Sequence, residues 1–406
     1  MEIRPIMASL RKHKIPAILI VLEIALACAV FCNAVFMIGQ RVAELHMPNV
    51  IDQAGIIVIH VGGTDPAHAR ADIPRNIAAL RSIPGVKTVV MASQVPLGNS
   101  SSNSTITPNP GGMYDDDSPN VAIYHVGKDA PRGMGMELLR GRWFKGAEYV
   151  DGTLGASGLP EKAPALVTRS LAERLWPDGE ALGKPFWIGK NNRYRVVGVV
   201  ADVLRPNQNG EGLTGFSWSA FFPVAPAPTL DHYIVRTSPR DRPRVLRAAT
   251  AKIQALLPNA VVKSRTFTDI RDQYFANTRS MVWILILVCV VMLAVTAFGI
   301  VGLTSFWVRQ RRRQIGIRRA VGATRAHILQ YFQTENFLLS SAGVVAGVIL
   351  AYGLNLYLMQ HYQLDRMPWY YLPASAVTLW ILGQLAVLAP ALRASNVPPV
   401  VATRSA

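Results

Sequence analysis

Four long apolar runs limit what this chain can fold into more than any other feature of its sequence. A helix needs about 20 mostly apolar residues to cross the ~30 Å hydrocarbon core of a bilayer, and each run reaches that length. The helix of a soluble core can also be apolar on every side, but it is usually shorter than these runs. The sequence therefore predicts four transmembrane helices, at 15–39, 281–307, 336–359 and 372–392.

Basic residues beside these runs indicate the orientation of the chain. They lie in the N-terminal segment 1–14, in the segment 308–335, which contains seven arginines, and in the tail 393–406. Loops rich in Lys and Arg remain in the cytoplasm. We therefore expect both termini and 308–335 to be cytoplasmic, with 40–280 and the short loop 360–371 outside. The same rule accounts for the formal net charge of +17 without a nucleic-acid partner.

The first apolar run has two alternative interpretations, a cleaved signal peptide or a permanent anchor. Basic residues precede it and small residues surround Cys28, as in a signal peptide. Its apolar stretch nevertheless continues to Ile38, which is too long for the apolar region of a signal peptide. We therefore expect an uncleaved anchor.

The segment 40–280 alternates between strand and helix signals. Strand-like runs occur at 54–61, 86–93, 232–238 and 260–268, and helical patterns at 73–85 and 242–258. We expect these elements to form one subdomain from 54–97 and 228–268. A loop rich in Gly, Ser, Asn and Pro at 98–119 marks a boundary, and the residues from about 120 to 226 form an inserted subdomain. The prediction is a large mixed α/β domain of two subdomains between the first and second transmembrane helices.

The chemical motifs of this segment do not form a catalytic or metal site. The stretch 179–185 has only three residues between its glycines, and a proline follows Lys184, so it is a turn and not a phosphate-binding loop. The acidic triplet 115–117 lacks the alternation of a calcium loop. The histidines lack zinc-site spacings, GxSxG is absent, and all three cysteines lie in predicted spans. We therefore predict no catalytic, cofactor-binding or metal-ligating residues, and no enzyme activity.

The stretch RQRRRQIGIRRAVGATRAH, residues 309–327, contains seven arginines and no acid. A nucleic-acid patch would be expected to interleave aromatic residues or to occupy a free terminus, whereas this block lies between two spans. Ile317 with Val321, and Ile328 with Phe332, have helical spacing, while Gly322 is suited to end one helix and Thr324 to cap the next. We expect a helical stalk, a sharp turn and a second helix. Attraction of the arginines to anionic lipid is a partial alternative explanation of their number.

Residues 311–355, RRRQIGIRRAVGATRAHILQYFQTENFLLSSAGVVAGVILAYGLN, resemble the cytoplasmic loop and third span of MacB/FtsX-type ABC transporter permeases. GMELLRGRWF, at 135–144, and LAERLWPDGEALGKPFWI with YRVVGVVADV, between 171 and 203, are similar to the periplasmic core domain of that family. One departure is Gln314, where the family usually has Glu. The resemblance implies an α-helical membrane protein with four transmembrane helices and a large mixed α/β periplasmic domain between helices 1 and 2.

The resemblance also implies a function. The chain would be the permease subunit of a mechanotransmission-type ABC transporter in the bacterial inner membrane, coupling ATP hydrolysis to a periplasmic conformational change for export or extrusion of a substrate. It would bind no cofactor, because ATP and Mg²⁺ would be held by a separate cytoplasmic ABC ATPase dimer. Other implied partners are a second copy or a paralogous permease, a periplasmic adaptor with an outer-membrane channel, and membrane lipid, but no nucleic acid. Alternatives are an FtsX-like regulator of a periplasmic or cell-wall enzyme and, with less support, an integral membrane hydrolase.

Three groups of candidate site residues follow from the residues and the resemblance together. The ATPase-coupling loop is expected to comprise Arg313, Gln314, Arg318, Arg319, Gly322, Ala323, Thr324 and Arg325. Gly343, Gly347 and Ala351 lie four apart on the third helix, which suits close packing against this chain's own helices or against a second copy. Glu23 and Asn33 are polar residues within the first span, with Asn33 expected to hydrogen-bond another helix and Glu23 to face protein.

Overall fold

The computed structural model describes residues 14–47, 54–98, 101–109, 118–149, 163–177, 179–189, 192–207, 214–362 and 367–396. It divides into two compact units. One comprises Met1–Leu45 and Thr278–Ala406, the membrane unit, and the other is His46–Asn277, the large domain. The acidic triplet 115–117, the basic residues before Lys14 and the end of the tail after 396 lie outside the described residues.

Ten helices and eleven strands occur in the described parts of the chain. The helices are α1 (Lys14–Leu45), α2 (Ala69–Arg81), α3 (Ala130–Gly133), α4 (Arg169–Leu175), α5 (Arg242–Leu256), α6 (Phe267–Tyr274), α7 (Ala276–Gln310), α8 (Arg312–Ala320), α9 (Arg325–Tyr362) and α10 (Tyr371–Ser395). The strands are β1 (Ile56–Gly62), β2 (Val86–Ala92), β3 (Asn103–Thr105), β4 (Asn120–Val126), β5 (Leu138–Gly141), β6 (Pro164–Thr168), β7 (Pro185–Ile188), β8 (Asn192–Val200), β9 (Ser219–Pro223), β10 (His232–Thr237) and β11 (Val261–Thr266).

Four helices of the membrane unit, α1, α7, α9 and α10, are long and apolar enough to cross a membrane. Each coincides with a predicted span, and the helices extend beyond the apolar runs. Their large apolar side chains divide into two groups. Ile20, Ile24 and Leu339 are buried between helices, whereas Trp283 and Phe298 are exposed, as is expected of side chains that face lipid.

The large domain is built on one sheet with the strand order β11-β1-β10-β2-β4-β9-β6-β8-β5, with β3 beside β4 and β7 beside β8. The pairs β4–β9 and β6–β8 are parallel, and the other pairs are antiparallel. A single residue pair, Ala92 with Val126, joins β2 to β4. The sheet therefore has two halves, one made from the chain ends of the domain and one from its middle.

Each half of the sheet has its own hydrophobic core. In the first half, α5 buries Val245, Ala249 and Ile253, which recur every four residues and so form one helical face. These side chains share a cluster with Ile59 of β1 and Tyr233 of β10. The second cluster gathers residues of α4, β4, β7, β8 and β9. The stretch 179–185 is the turn that connects α4 to β7, as the sequence predicts.

The structure differs from the sequence predictions at two element boundaries of the first half. The helix predicted at 73–85 lies at Ala69–Arg81, because Asp65 caps a short 3-10 turn that leads directly into it. The strand predicted at 260–268 ends at Thr266, because Thr266 and Asp269 form a capping box that begins α6 at Phe267. At Thr266 a local side-chain cap, and not the hydrophobic pattern, sets the boundary.

Candidate functional site: the arginine-rich turn

The predicted stop and restart of the helix at Gly322 and Thr324 are confirmed. Gly322 has φ +107° and follows α8. Its amide donates to the Arg319 carbonyl oxygen at 3.2 Å, and the Ala323 amide donates to the Arg318 carbonyl oxygen at 3.0 Å. This is the Schellman arrangement that ends helices at a glycine. The Oγ1 of Thr324 then accepts from the His327 amide at 3.3 Å and caps α9.

The helices α7 and α8 are nearly continuous. Arg311 lies between them. Its amide donates to the Trp307 carbonyl oxygen at 3.0 Å, and its carbonyl oxygen accepts from the Ile315 amide at 2.9 Å. Hydrogen bonds of helical spacing therefore run through the junction. As a result, α8 is the end of a long stalk that begins with α7, and the turn at Gly322 is its tip.

A buried ion pair fixes this stalk to α9. The Nη1 of Arg311 lies 3.0 Å from Oε1 and 3.1 Å from Oε2 of Glu335. The side chains are only 7% and 2% exposed, so solvent screens the pair weakly. The Arg311 guanidinium also lies 5.3 Å from the centre of the Trp307 ring, within the range of a cation–π interaction.

Arg319 and Arg318 are also engaged within the chain. The Nη1 of Arg319 donates to the Ser395 carbonyl oxygen, 3.1 Å away at the end of α10. The Arg318 guanidinium lies 4.9 Å from the centre of the Tyr331 ring. Cations stabilise a helix C-terminus because they interact with its unpaired carbonyl groups. Both residues belong to the predicted coupling loop. Arg319 is half-buried and its side chain contacts α10, whereas Arg318 is exposed.

The opposite side of α8 is exposed and mixes apolar with cationic side chains. Ile317 is 50% exposed and Val321 is 84% exposed, and they lie one turn apart. Arg313 and Gln314 are exposed on the turn before them. We call Arg313, Gln314, Ile317 and Val321 the tip face. Gly322, Thr324 and Arg325 are exposed beside it, and Ala323 is half-buried.

The small residues of α9 pack against α1 of the same chain. A Cβ atom added to Gly347 would overlap Cys28 and lie 2.8 Å from the Ala25 carbonyl oxygen, and one added to Gly343 would lie 2.8 Å from the Cβ of Ile24. Ala351 is fully buried. Of the two alternatives left open by the sequence, the structure shows the packing within the chain.

The two polar residues of the first span both face other helices of the membrane unit. The Nδ2 of Asn33 donates to the Ala351 carbonyl oxygen at 3.2 Å, so the predicted hydrogen bond between helices is confirmed. The Glu23 carboxyl group lies against Gly299 of α7, where a Cβ atom would overlap it. Both residues therefore face protein, as expected of polar groups in a span.

Glu335, Trp307 and Ser395 are site residues that the sequence interpretation did not single out. For Glu335 a signal was available, because it is an acid directly before an apolar span and 24 residues from an arginine. Acids in such positions usually have a basic partner. The contact with Ser395 could not be found in this way, because it depends on the packing of α10 beside α8.

Two family models match this chain. Residues 18–255 match the MacB-like periplasmic core domain, and residues 286–399 match the FtsX-like permease C-terminal region. The first match alone covers more than half of the 406 residues. The chain belongs to the MacB/FtsX family of ABC transporter permeases. The resemblance that the sequence motifs indicate is confirmed, and the large domain is the periplasmic core domain of a multi-pass inner-membrane protein.

Several curated proteins are similar to this permease. It is 28% identical over 247 residues to the macrolide export ATP-binding/permease protein MacB of Chromobacterium violaceum. That match covers 58% of this chain and 35% of that protein. It is 35% identical over 122 residues to the pyoverdine export ATP-binding/permease protein PvdT of Pseudomonas syringae pv. syringae. That match covers 29% of this chain and 18% of that protein. The chain spans about a third of the length of the MacB relative.

A solved structure is also similar, the periplasmic region of MacB from Actinobacillus actinomycetemcomitans. The comparison has a TM-score of 0.36 at 14% identity, covering 54% of this chain and 92% of that one.

Proposed function

We propose that this permease couples ATP hydrolysis by a cytoplasmic ABC ATPase dimer to a conformational change of the periplasmic core domain, and that this change drives export. The tip face is the contact with the ATPase. In this proposal the termini and the turn at Gly322 are cytoplasmic, the ATPase belongs to a separate subunit, and ATP and Mg²⁺ bind to it. Two copies of the permease, or one copy and a paralogue, bind above the ATPase dimer.

The observation that carries the proposal is the division of α8 into two sides. One side is held by the Arg311–Glu335 pair and by the Arg319 contact with Ser395. The other side exposes Ile317 and Val321 among cations. An apolar group with a polar rim, presented on a rigid element, is typical of protein interaction sites.

A contact at the tip face has a direct route to the large domain along the chain. Because helical hydrogen bonds continue through Arg311, a displacement of α8 moves the end of α7 with it. A ligand shifts a conformational equilibrium only by its differential affinity for the two states, so the ATPase must contact the tip face differently when ATP is bound.

The relatives support export as the outcome. The names of the MacB and PvdT relatives describe the export of a macrolide and of pyoverdine, respectively, by ATP-binding/permease proteins. We therefore propose export of a small molecule from the cell envelope by this chain, with an adaptor and an outer-membrane channel as further partners. The alternative of a regulator of a cell-wall enzyme gains no support from these names.

The test begins with affinity purification of the full-length permease in mild detergent and identification of the ATPase that co-elutes. The pair is then placed in nanodiscs, and ATPase stimulation is measured for Val321→Asp. This substitution places a charge on the tip face, at a side chain that is 84% exposed, so folding should not change. We expect at least a tenfold loss of stimulation, since burying an unpaired charge at an interface costs well over about 1.4 kcal/mol.

Arg312→Glu provides the matched control for charge. Arg312 is exposed, but the helical spacing places it on the other side of α8 from Ile317. A contact with lipid headgroups would instead make stimulation follow net charge and the fraction of anionic lipid. The proposal is wrong if no ATPase co-elutes under any nucleotide condition, or if Arg312→Glu reduces stimulation as much as Val321→Asp does.

A further inference from the structure

Three side chains that commonly bind metals meet at one edge of the periplasmic core domain. His60 of β1 and His232 of β10 are direct partners in the antiparallel ladder, and Asp231 directly precedes His232. The neighbours of these histidines along the strands, Ile59 and Tyr233, belong to the core beneath the helices. Because side chains alternate along a strand, both histidines lie on the opposite face of the sheet.

The distances among these groups suit a cation. The Nε2 of His60 lies 3.4 Å from Oδ2 of Asp231, and Nδ1 of His232 lies 2.6 Å from Oδ1 of the same carboxylate. One ligand atom from each of the three residues can be chosen so that all lie within 4.8 Å of one another. Two ligands bound at about 2.0–2.1 Å to a tetrahedral Zn²⁺ are about 3.3 Å apart, so His60 and Asp231 already have this spacing.

The chemistry of these three side chains favours a late first-row divalent cation. Two imidazoles and one carboxylate suit Zn²⁺, Cu²⁺ or Ni²⁺ better than Ca²⁺ or Mg²⁺, which prefer oxygen ligands. The His60 and Asp231 side chains are 38% and 37% exposed, so an ion could reach them from solvent. Burial, followed by the nearby His232, lowers the pKa of His60.

One nearby charge opposes cation binding. Lys263 of β11 is the ladder partner of His60 on its other side, so its ammonium group shares the same sheet face. It also contributes to the lowered pKa of His60. A positive charge beside a cation site weakens cation binding. Removing the charge of Lys263 should therefore strengthen binding, whereas removing a ligand should weaken it.

We propose that His60, Asp231 and His232 bind one late first-row divalent cation, with Zn²⁺ as the reference ion and a water molecule as the fourth ligand. The sequence predicts no metal site, because 171 residues separate His60 from Asp231 and the pairing of β1 with β10 is what joins them. Three protein ligands leave the fourth position open to water, whereas structural zinc sites have four protein ligands.

The test uses the full-length permease in zwitterionic nanodiscs, stripped of metal and with any histidine tag removed. Zn²⁺ affinity is measured by competition with a chromophoric chelator, and stoichiometry by elemental analysis after dialysis. We expect one Zn²⁺ per chain, and at least a tenfold weaker affinity in His60→Ala and in His232→Ala. Lys263→Gln should bind Zn²⁺ more tightly than the unmodified chain.

His68→Asn is the matched control. His68 is paired with Asp65 at 2.9 Å on the surface of the same domain, but the two residues offer only two ligands. Thermal unfolding without metal should be the same for His60→Ala and His68→Asn as for the unmodified chain, because the first side chain is partly exposed and the second largely exposed. The proposal is overturned if the chain retains no Zn²⁺ after dialysis, if His60→Ala binds as tightly as the unmodified chain, or if His68→Asn weakens binding equally.

Discussion

The substitution Glu335→Gln tests what holds the stalk in place. It keeps the shape of a side chain that is 2% exposed and removes its charge, leaving the Arg311 guanidinium buried without a counter-ion. Two unit charges about 4 Å apart attract by about 4 kcal/mol at an effective dielectric constant near 20. Removing one member of a buried pair typically costs about 3–5 kcal/mol.

The geometry of the pair favours the lower end of this range. A single nitrogen, Nη1, contacts both carboxylate oxygens of Glu335, so the two parallel hydrogen bonds of an ideal arginine–carboxylate pair are not formed. The Nη2 of Arg311 is buried without a hydrogen-bond partner among the described residues. We therefore expect α8 to open more easily in Glu335→Gln by about 3 kcal/mol, roughly a 100-fold loss of amide protection.

Hydrogen exchange of the full-length permease in nanodiscs measures this opening in peptides that cover 309–327. Glu44→Gln is the matched control, because it breaks the Arg41–Glu44 pair of α1 and should leave these peptides unchanged. The double variant Arg311→Met with Glu335→Leu should restore most of the protection, since replacing both charges removes the unpaired one. Unchanged protection in Glu335→Gln, or a double variant as open as that single one, would refute this account of the stalk.

Three further substitutions test other contacts, each by thermal unfolding or hydrogen exchange in nanodiscs. Gly347→Leu should destabilise the membrane unit by about 1–3 kcal/mol, because α9 would be forced away from Cys28 of α1; an unchanged unfolding temperature would contradict that packing. Thr324→Ala should cost about 1 kcal/mol and increase exchange at the start of α9, whereas Thr324→Ser should not. Arg205→Ala should destabilise the core domain by about 3 kcal/mol or more, because the fully buried guanidinium donates to Asn120; retained stability would show that the contact is dispensable.

The features that the sequence predicted well are those that depend on the physical chemistry of individual residues and short segments. The four spans follow from the length of the apolar runs, and the turn at Gly322 from the preference of glycine for positive φ. The cap at Thr324 and the hydrogen bond from Asn33 to another helix follow from the need to satisfy polar groups. For the spans, the turn and the cap the cause lies in the local sequence, whereas the carbonyl group that Asn33 reaches is 318 residues away.

The features that sequence reasoning missed depend on contacts between distant segments. One such contact joins the Arg319 side chain to the Ser395 carbonyl oxygen at the end of α10. Similarly, no spacing rule connects His60 with His232, whose proximity results from the pairing of β1 with β10. A single sequence contains no direct signal for such pairings, because they arise only when distant segments pack together.

The two sides of α8 together constrain how a force at the turn could act. If the stalk bent freely at Arg311, a push on the tip face would be absorbed there and would not reach α7. The hydrogen bonds from Arg311 to Trp307 and from Ile315 to Arg311 oppose such bending, and the ion pair between Arg311 and Glu335 connects the junction to α9. The contact from Arg319 to Ser395 adds the end of α10. A push at the turn should therefore displace α7, α9 and α10 together, and weakening the ion pair should uncouple the permease without altering the tip face itself.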